Sequence, residues 1–243
     1  MPTGIICNVL AVAVGGIIGA LTGEKLSTEF KEKINMIFGV CAMSMGISSI
    51  VLMENMPAVV CAVILGTMLG VICHLGTGIE RAGRGMQKLI SRFVKAPDNG
   101  ISQEEFDATL MTVVVLFCAS GTGIYGSMVS GMNGDQSILL AKSILDIFTA
   151  LIFACTLGMV VSVIAVPQLV IFLLLFFLAK AIVPLTTPTM INDFKACGGV
   201  ILLATGFRII KVKMFPTADM IPAMILVMPL SWLWVTYVIP FVG

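Results

Sequence analysis

Lys142 and Asp146 stand four residues apart in the run KSILD, a spacing that puts both side chains on one face of a helix, with Ser143 and Thr149 beside them. The surrounding residues are apolar. A carboxylate held near the middle of a membrane helix costs about 2.5–3.5 kcal/mol on insertion scales unless it faces protein, water or a counter-charge, so Asp146 needs a reason to be there. Just upstream, Gly121, Gly123, Gly126, Gly131 and Gly134 crowd together and lead into Asp135. Two readings stay open. In one, the glycines break their helix and expose backbone N–H and C=O groups to a cavity, where Asp146, Lys142 and Asp135 hold a solute, an ion or a proton. In the other, the glycines allow close helix packing, and Lys142 either pairs with Asp146 to fix that packing or reaches out to the outer surface. Asn8, in the first apolar run, is a candidate to join the same polar network.

Soluble-type catalytic patterns are missing from the sequence. It has no P-loop, no G-x-S-x-G and no H-E-x-x-H, and His74 is its one histidine, so triads and zinc sites lose their usual members. An intramembrane aspartyl protease would need two facing aspartates, and spacing alone does not pair Asp146 with Asp135 or Asp193. Cys7, Cys41, Cys61, Cys73, Cys118, Cys155 and Cys197 lie one per apolar stretch, with neither metal-ligand spacing nor a disulfide framework, and read as small packing residues. No enzyme activity and no cofactor is expected.

The elements that must position these residues are membrane helices. Hydrophobic residues make up 58% of the 243 and charged residues 11%, against about 25% charged in soluble domains, and the net charge is +1, which recruits neither nucleic acid nor a cloud of cations. The expected fold is an all-α polytopic bundle in one transmembrane domain over 1–243, with about eight spans at 4–22, 34–53, 57–75, 106–128, 137–166, 167–185, 198–210 and 221–242. The fifth run is longer than one crossing needs and must tilt, leave the bilayer or begin with a non-spanning piece. The first has no basic residue before it, so it reads as a retained span rather than a cleaved signal. Over 78–95, Arg81, Arg84, Lys88, Arg92 and Lys95 interleave with Ile79, Met86, Leu89, Ile90 and Phe93, the pattern of a basic amphipathic helix at the headgroups. Ser102 and Glu105 then spell a capping box for the fourth span. The polar run 186–195 reads as an outer loop, His74 as an interfacial residue, and Trp232, Trp234 and Tyr237 as part of an aromatic belt.

Basic residues after spans one, three and seven fall on one face, which places those loops in the cytoplasm and both termini on the outer face. Internal similarity is present. Gly39-Val40 through Gly46 and then Pro57-Ala58 recurs as Gly199-Val200 through Gly206 and then Pro222-Ala223, which over eight crossings would be an inverted repeat. A competing match pairs 16–21 with 123–128.

Along its whole length the chain resembles the bacterial and archaeal membrane family known as domain of unknown function 554. The likeness is carried by Gly4, Asn8, Gly15-Gly16 and Gly19, by Ile79-Glu80, by Gly126-Ser127, Gly134-Asp135, Lys142-Ser143, Asp146 and Leu157-Gly158, and by Gly198-Gly199, Gly206 and Pro222-Ala223. The resemblance implies a multi-spanning inner-membrane protein suspected of transport, with no substrate assigned, and groups Asp146, Lys142 and Asp135 as a unit. Two departures stand out: Val71 follows Gly70 where relatives often carry an acidic residue, and Asp219 stands where an Asn is usual.

The sequence therefore predicts a secondary transporter or channel for a small solute or ion. Its binding residues would be Asp146, Lys142, Asp135, Ser143, Gly121, Gly123, Gly126, Gly134 and Asn8, and its partners lipid, the solute and other copies of itself, with no nucleic acid. The alternative is a non-transporting membrane scaffold or regulator acting through the basic helix.

Overall fold

A computed structural model describes residues 1–22, 27–92 and 103–242. Among them every regular element is a helix: α1 (Thr3–Thr22), α2 (Thr28–Ile50), α3 (Met56–Ile72), α4 (Leu75–Ser91), α5 (Gln103–Cys118), α6 (Gly121–Asn133), α7 (Ser137–Leu157), the single turn α8 (Val160–Val163), α9 (Ala165–Ile182), α10 (Pro188–Ile209), α11 (Ile221–Leu233) and the single turn α12 (Ile239–Val242). Among the described residues seven helical stretches are long and apolar enough to cross a membrane, and an eighth results if α3 and α4 are one broken span. Leu10, Ile64, Leu174 and Phe177 remain exposed on these helices. In water such faces would demand a partner; on a membrane helix they meet acyl chains.

Local chemistry explains the boundaries. Gly158 ends α7 with a φ of 73°, and Gly134 closes α6 in the left-handed region with a φ of 75°, where a side chain would be strained. The overlong run over 137–166 is thereby divided at Gly158: the next crossing is Val160–Leu185 and does not start at residue 167. The run 186–195 is no loop beyond its first two residues. Pro188 sits in the first turn of α10, Thr187 caps it by accepting from the Met190 N–H at 3.3 Å, and the helix runs on to Ile209, so the predicted span 198–210 begins ten residues too late. The predicted capping box involves Ser102, outside the described residues, as are Phe93 and Lys95.

The helices sort into two compact units. Unit 1 comprises residues 1–35 and 78–180, and unit 2 residues 36–77 and 181–243.

In unit 1, α1 runs parallel to α7. Gly4, Gly15 and Gly19 face Leu139, Ala150 and Ala154 in ascending order, and a methyl at Gly15 or Gly19 would collide with the carbonyl of Ile147 or Leu151. The G-x-x-x-G spacing is what lets the two backbones touch. α4 packs its own small and apolar face on α5: Gly83 lies against Val115, Ile90 joins the core around Phe106 and Leu110, and the buried Gln87 donates to Asp107 at 2.6 Å. Arg81, Arg84, Lys88 and Arg92 are exposed. The helix expected over 78–95 is described as Leu75–Ser91, and part of its apolar stripe, Met86 and Ile90, packs on protein.

In unit 2, α2 and α10 cross antiparallel, with Gly39 on Gly206 and Gly46 on Gly199. The first repeat alignment equates Gly39 with Gly199 and Gly46 with Gly206. Each contact is therefore the exchange image of the other, as a two-fold relation requires. α3 and α11 both carry Pro in their first turn and also pack antiparallel, through Gly66 on Ala223 and Gly70 on Asp219. This is the packing an inverted repeat produces.

Candidate functional site

Asp146 is the tenth of the 21 residues of α7, about 14 Å along a helix about 31 Å long, hence at its middle. It is 6% exposed and Lys142 4%. The Lys142 ammonium reaches both carboxylate oxygens, Oδ2 at 2.7 Å and Oδ1 at 2.9 Å. From α1, the buried Asn8 donates its Nδ2 to Asp146 Oδ2 at 2.8 Å, and from α9 the buried Gln168 donates its Nε2 to Asn8 Oδ1 at 2.9 Å. Three helices thus meet in one polar chain, Lys142–Asp146–Asn8–Gln168. The ion pair and the place of Asn8 match the expectation. Gln168 is an addition: reading the sixth span from residue 167 put it at a membrane boundary, whereas the crossing begins at Val160 and buries it.

A fourth element approaches from α5. The span Thr109–Asn133 is continuous in length but interrupted at Ala119-Ser120, close to its middle. The break precedes the glycines instead of falling among them. Ser120 restarts the helix by accepting from the Gly123 N–H at 3.2 Å, while in the last turn of α5 the Val115 carbonyl still accepts from the Ala119 N–H at 2.9 Å. Cys118, at that end, lies within electrostatic range of the Lys142 ammonium.

The other predicted residues are distributed differently. Gly121, Gly123 and Gly126 are buried inside α6, where Gly123 receives the Phe172 ring and Gly126 the Leu139 side chain. Gly123 and Gly126 thus admit neighbouring side chains. Ser143 returns its hydroxyl to the Leu139 carbonyl at 2.7 Å. Gly134 and Asp135 form the α6–α7 turn, where Asp135 accepts from the Ser137 N–H at 3.0 Å, eleven positions before Asp146. The structure brings Asn8, Lys142 and Asp146 together and leaves Asp135 at the helix entrance. Next to it Gln136 Oε1 binds the Gly4 N–H at 3.0 Å and the Ser130 hydroxyl at 2.9 Å, tying the starts of α1 and α7.

Unit 2 holds a second buried carboxylate that the sequence reading assigned to a loop. Asp193 accepts from the backbone N–H groups of Glu54 and Asn55, from Asn55 Nδ2 and from the Ser231 hydroxyl, at 2.7–2.9 Å. It caps the start of α3 from a neighbouring helix. Asp219 does the same for α4, accepting the Gly76 N–H at 2.7 Å. All seven cysteines are free thiols, and among the described residues no cluster of His, Cys, Asp and Glu could hold a metal ion.

The sequence profile of the family described as "Protein of unknown function (DUF554)" matches residues 3–232. The chain belongs to this family. It is similar to the Escherichia coli (strain K12) protein named "Uncharacterized protein YqgA", at 47% identity over 98% of this chain and 99% of the relative. It is also similar to "Uncharacterized membrane protein YdfK" of Bacillus subtilis (strain 168), at 25% identity over 92% of this chain and 93% of the relative. No solved structure matches the chain. Family and fold agree on a multi-spanning helical membrane protein.

Proposed function

We propose that this protein is a secondary transporter or channel that moves a small solute or ion, with the Lys142–Asp146 pair at the centre of its binding site. The supporting observation is the coincidence of two costly features in unit 1: a buried charged pair mid-helix on α7 and an interrupted span, α5–α6, packed against that helix. Ionisable groups in membrane spans mark ion and solute pathways, and discontinuous helices build such sites because their ends offer unshared backbone groups. Asp146 would take the cation or proton, and Lys142 would supply charge balance or meet an anionic group. On this reading the protein works in the cell membrane with both termini outside, surrounded by lipid and assembled as a homo-oligomer, and it moves its solute without transforming it.

The test is flux across liposomes containing the purified protein, driven by gradients of ions, organic acids and amino acids at two pH values, wild type beside Asp146→Asn. Flux abolished in a folded Asp146→Asn protein is the expected result; flux unchanged in it removes Asp146 from the site. A second reading, a scaffold acting through α4, is favoured by the exposed row Arg81, Arg84 and Lys88 on a helix already fastened to α5. It expects charge reversal of that row to abolish function and Asp146→Asn to lower stability alone.

A further inference from the structure

Donors and acceptors in the unit 1 cluster do not balance, and the imbalance has a sign. Ionised Asp146 only accepts, so Asn8 turns its Nδ2 toward it and is left with Oδ1 to accept; Gln168 must then turn its Nε2 toward Asn8. The carboxylate at one end fixes every amide in the chain. What remains at the other end is Gln168 Oε1, fully enclosed and without a hydrogen-bond partner. The one strong donor nearby, Lys142, is held by both oxygens of Asp146. The cluster is thus short of a donor: a buried acceptor is left over after its one charged pair is matched.

We infer that the cluster is a binding site for a small monovalent cation, and that the Lys142 ammonium is a tethered occupant which that cation must displace from Asp146. The inference rests on the proposal that this cluster is the working site, and it names the class of ion. Two positive charges on one buried carboxylate would leave an unmatched charge in an apolar interior, so occupancy is one at a time. The flexible four-carbon stem of lysine lets the ammonium swing away from Asp146 toward the start of α7, five residues up the helix, and keep its charge in the polar boundary there without moving the backbone. A water beside Gln168 would also satisfy its oxygen, but it would not compete with Lys142. Loss of Lys142 separates the two occupants.

The experiment measures thermal unfolding of the full-length protein in detergent micelles, titrated with sodium, potassium or ammonium chloride against choline chloride at constant ionic strength. For Lys142→Met, the midpoint is expected to rise saturably with one of the three small cations, and wild type should need about tenfold more of that cation for an equal shift. Lys142→Met/Asp146→Asn should not respond. Which salt acts tells an alkali ion from ammonium. Lys142→Met curves identical in all four salts overturn the inference, as does a response that survives in the double variant. Should Lys142→Met not fold in any salt, wild type is compared with Gln168→Met, which keeps the ion pair: about tenfold weaker cation dependence is expected, and coincident curves overturn the inference. Flux with an unresponsive Lys142→Met removes this inference alone, whereas a responsive Lys142→Met without flux removes transport and leaves the site standing.

Discussion

Asp146 in unit 1 and Asp193 in unit 2 are both buried carboxylates on membrane helices, and they are stabilised in opposite ways. Asp146 is matched by a full charge on its own helix and by one amide from α1. Asp193 has no lysine or arginine among its hydrogen-bond partners shown here: two backbone N–H groups at the start of α3, one amide and one hydroxyl share its charge. The second arrangement is local architecture, because two of its donors are backbone N–H groups of the turn that leads into α3, fixed in the fold, and the other two belong to short side chains. The first is exchangeable, because its main partner is a flexible side chain. Burial of a carboxylate therefore does not mark a working site by itself; the mobility of what neutralises it does.

Four substitutions test that contrast. Asp146→Asn leaves the Lys142 ammonium unmatched and is expected to cost about 3–5 kcal/mol, while the uncharged pair Lys142→Met/Asp146→Leu returns to within about 1 kcal/mol of wild type in denaturant unfolding. Equal stability of the single and double variants would mean the ion pair is not what the bundle depends on. Asp193→Ala strips four donors of their acceptor and should cost about 2–4 kcal/mol, with flux per folded molecule unchanged; lost flux would put Asp193 in the transport site as well. Gly46→Ala sets a methyl 2.7 Å from the Gly199 carbonyl oxygen and should cost about 1–3 kcal/mol, read as a lowered unfolding midpoint. A neutral result there would show that the α2–α10 crossing can open. The smallest effect belongs to Glu29→Gln. Glu29 and Lys33 have the same four-residue spacing as the buried pair, at 2.6 Å, but both are exposed, so less than about 0.5 kcal/mol should change.

Much of this was legible from hydropathy and spacing. The helical membrane class, the facing of Lys142 and Asp146, the place of Asn8 and the glycine repeat of unit 2 all follow from periodicity, which acts locally. Boundaries are less legible, and two of them conceal a buried polar residue. Starting the sixth span at 167 made Gln168 look interfacial, and starting the seventh at 198 made Asp193 look like loop. Apolar counting cannot see that Gly158 stops one helix and Thr187 starts another, since both act through backbone geometry and a single hydrogen bond. The break at Ala119-Ser120 was masked in the same way: the glycines that drew attention are there to admit Phe172 and Leu139, and the serine beside them makes the cut.

The parallel packing of α1 on α7 also sets an order of assembly. Asn8 and the carboxylate it binds are 138 residues apart in the chain, which at about 5–20 residues per second is roughly 7–28 seconds of synthesis. During that interval the first helix waits in the bilayer with an unmatched amide and the bare edge of Gly15 and Gly19. Two crossings that point the same way cannot form a hairpin with each other, so whatever shelters α1 until α7 emerges, whether lipid or the insertion machinery, is a participant in the folding of unit 1.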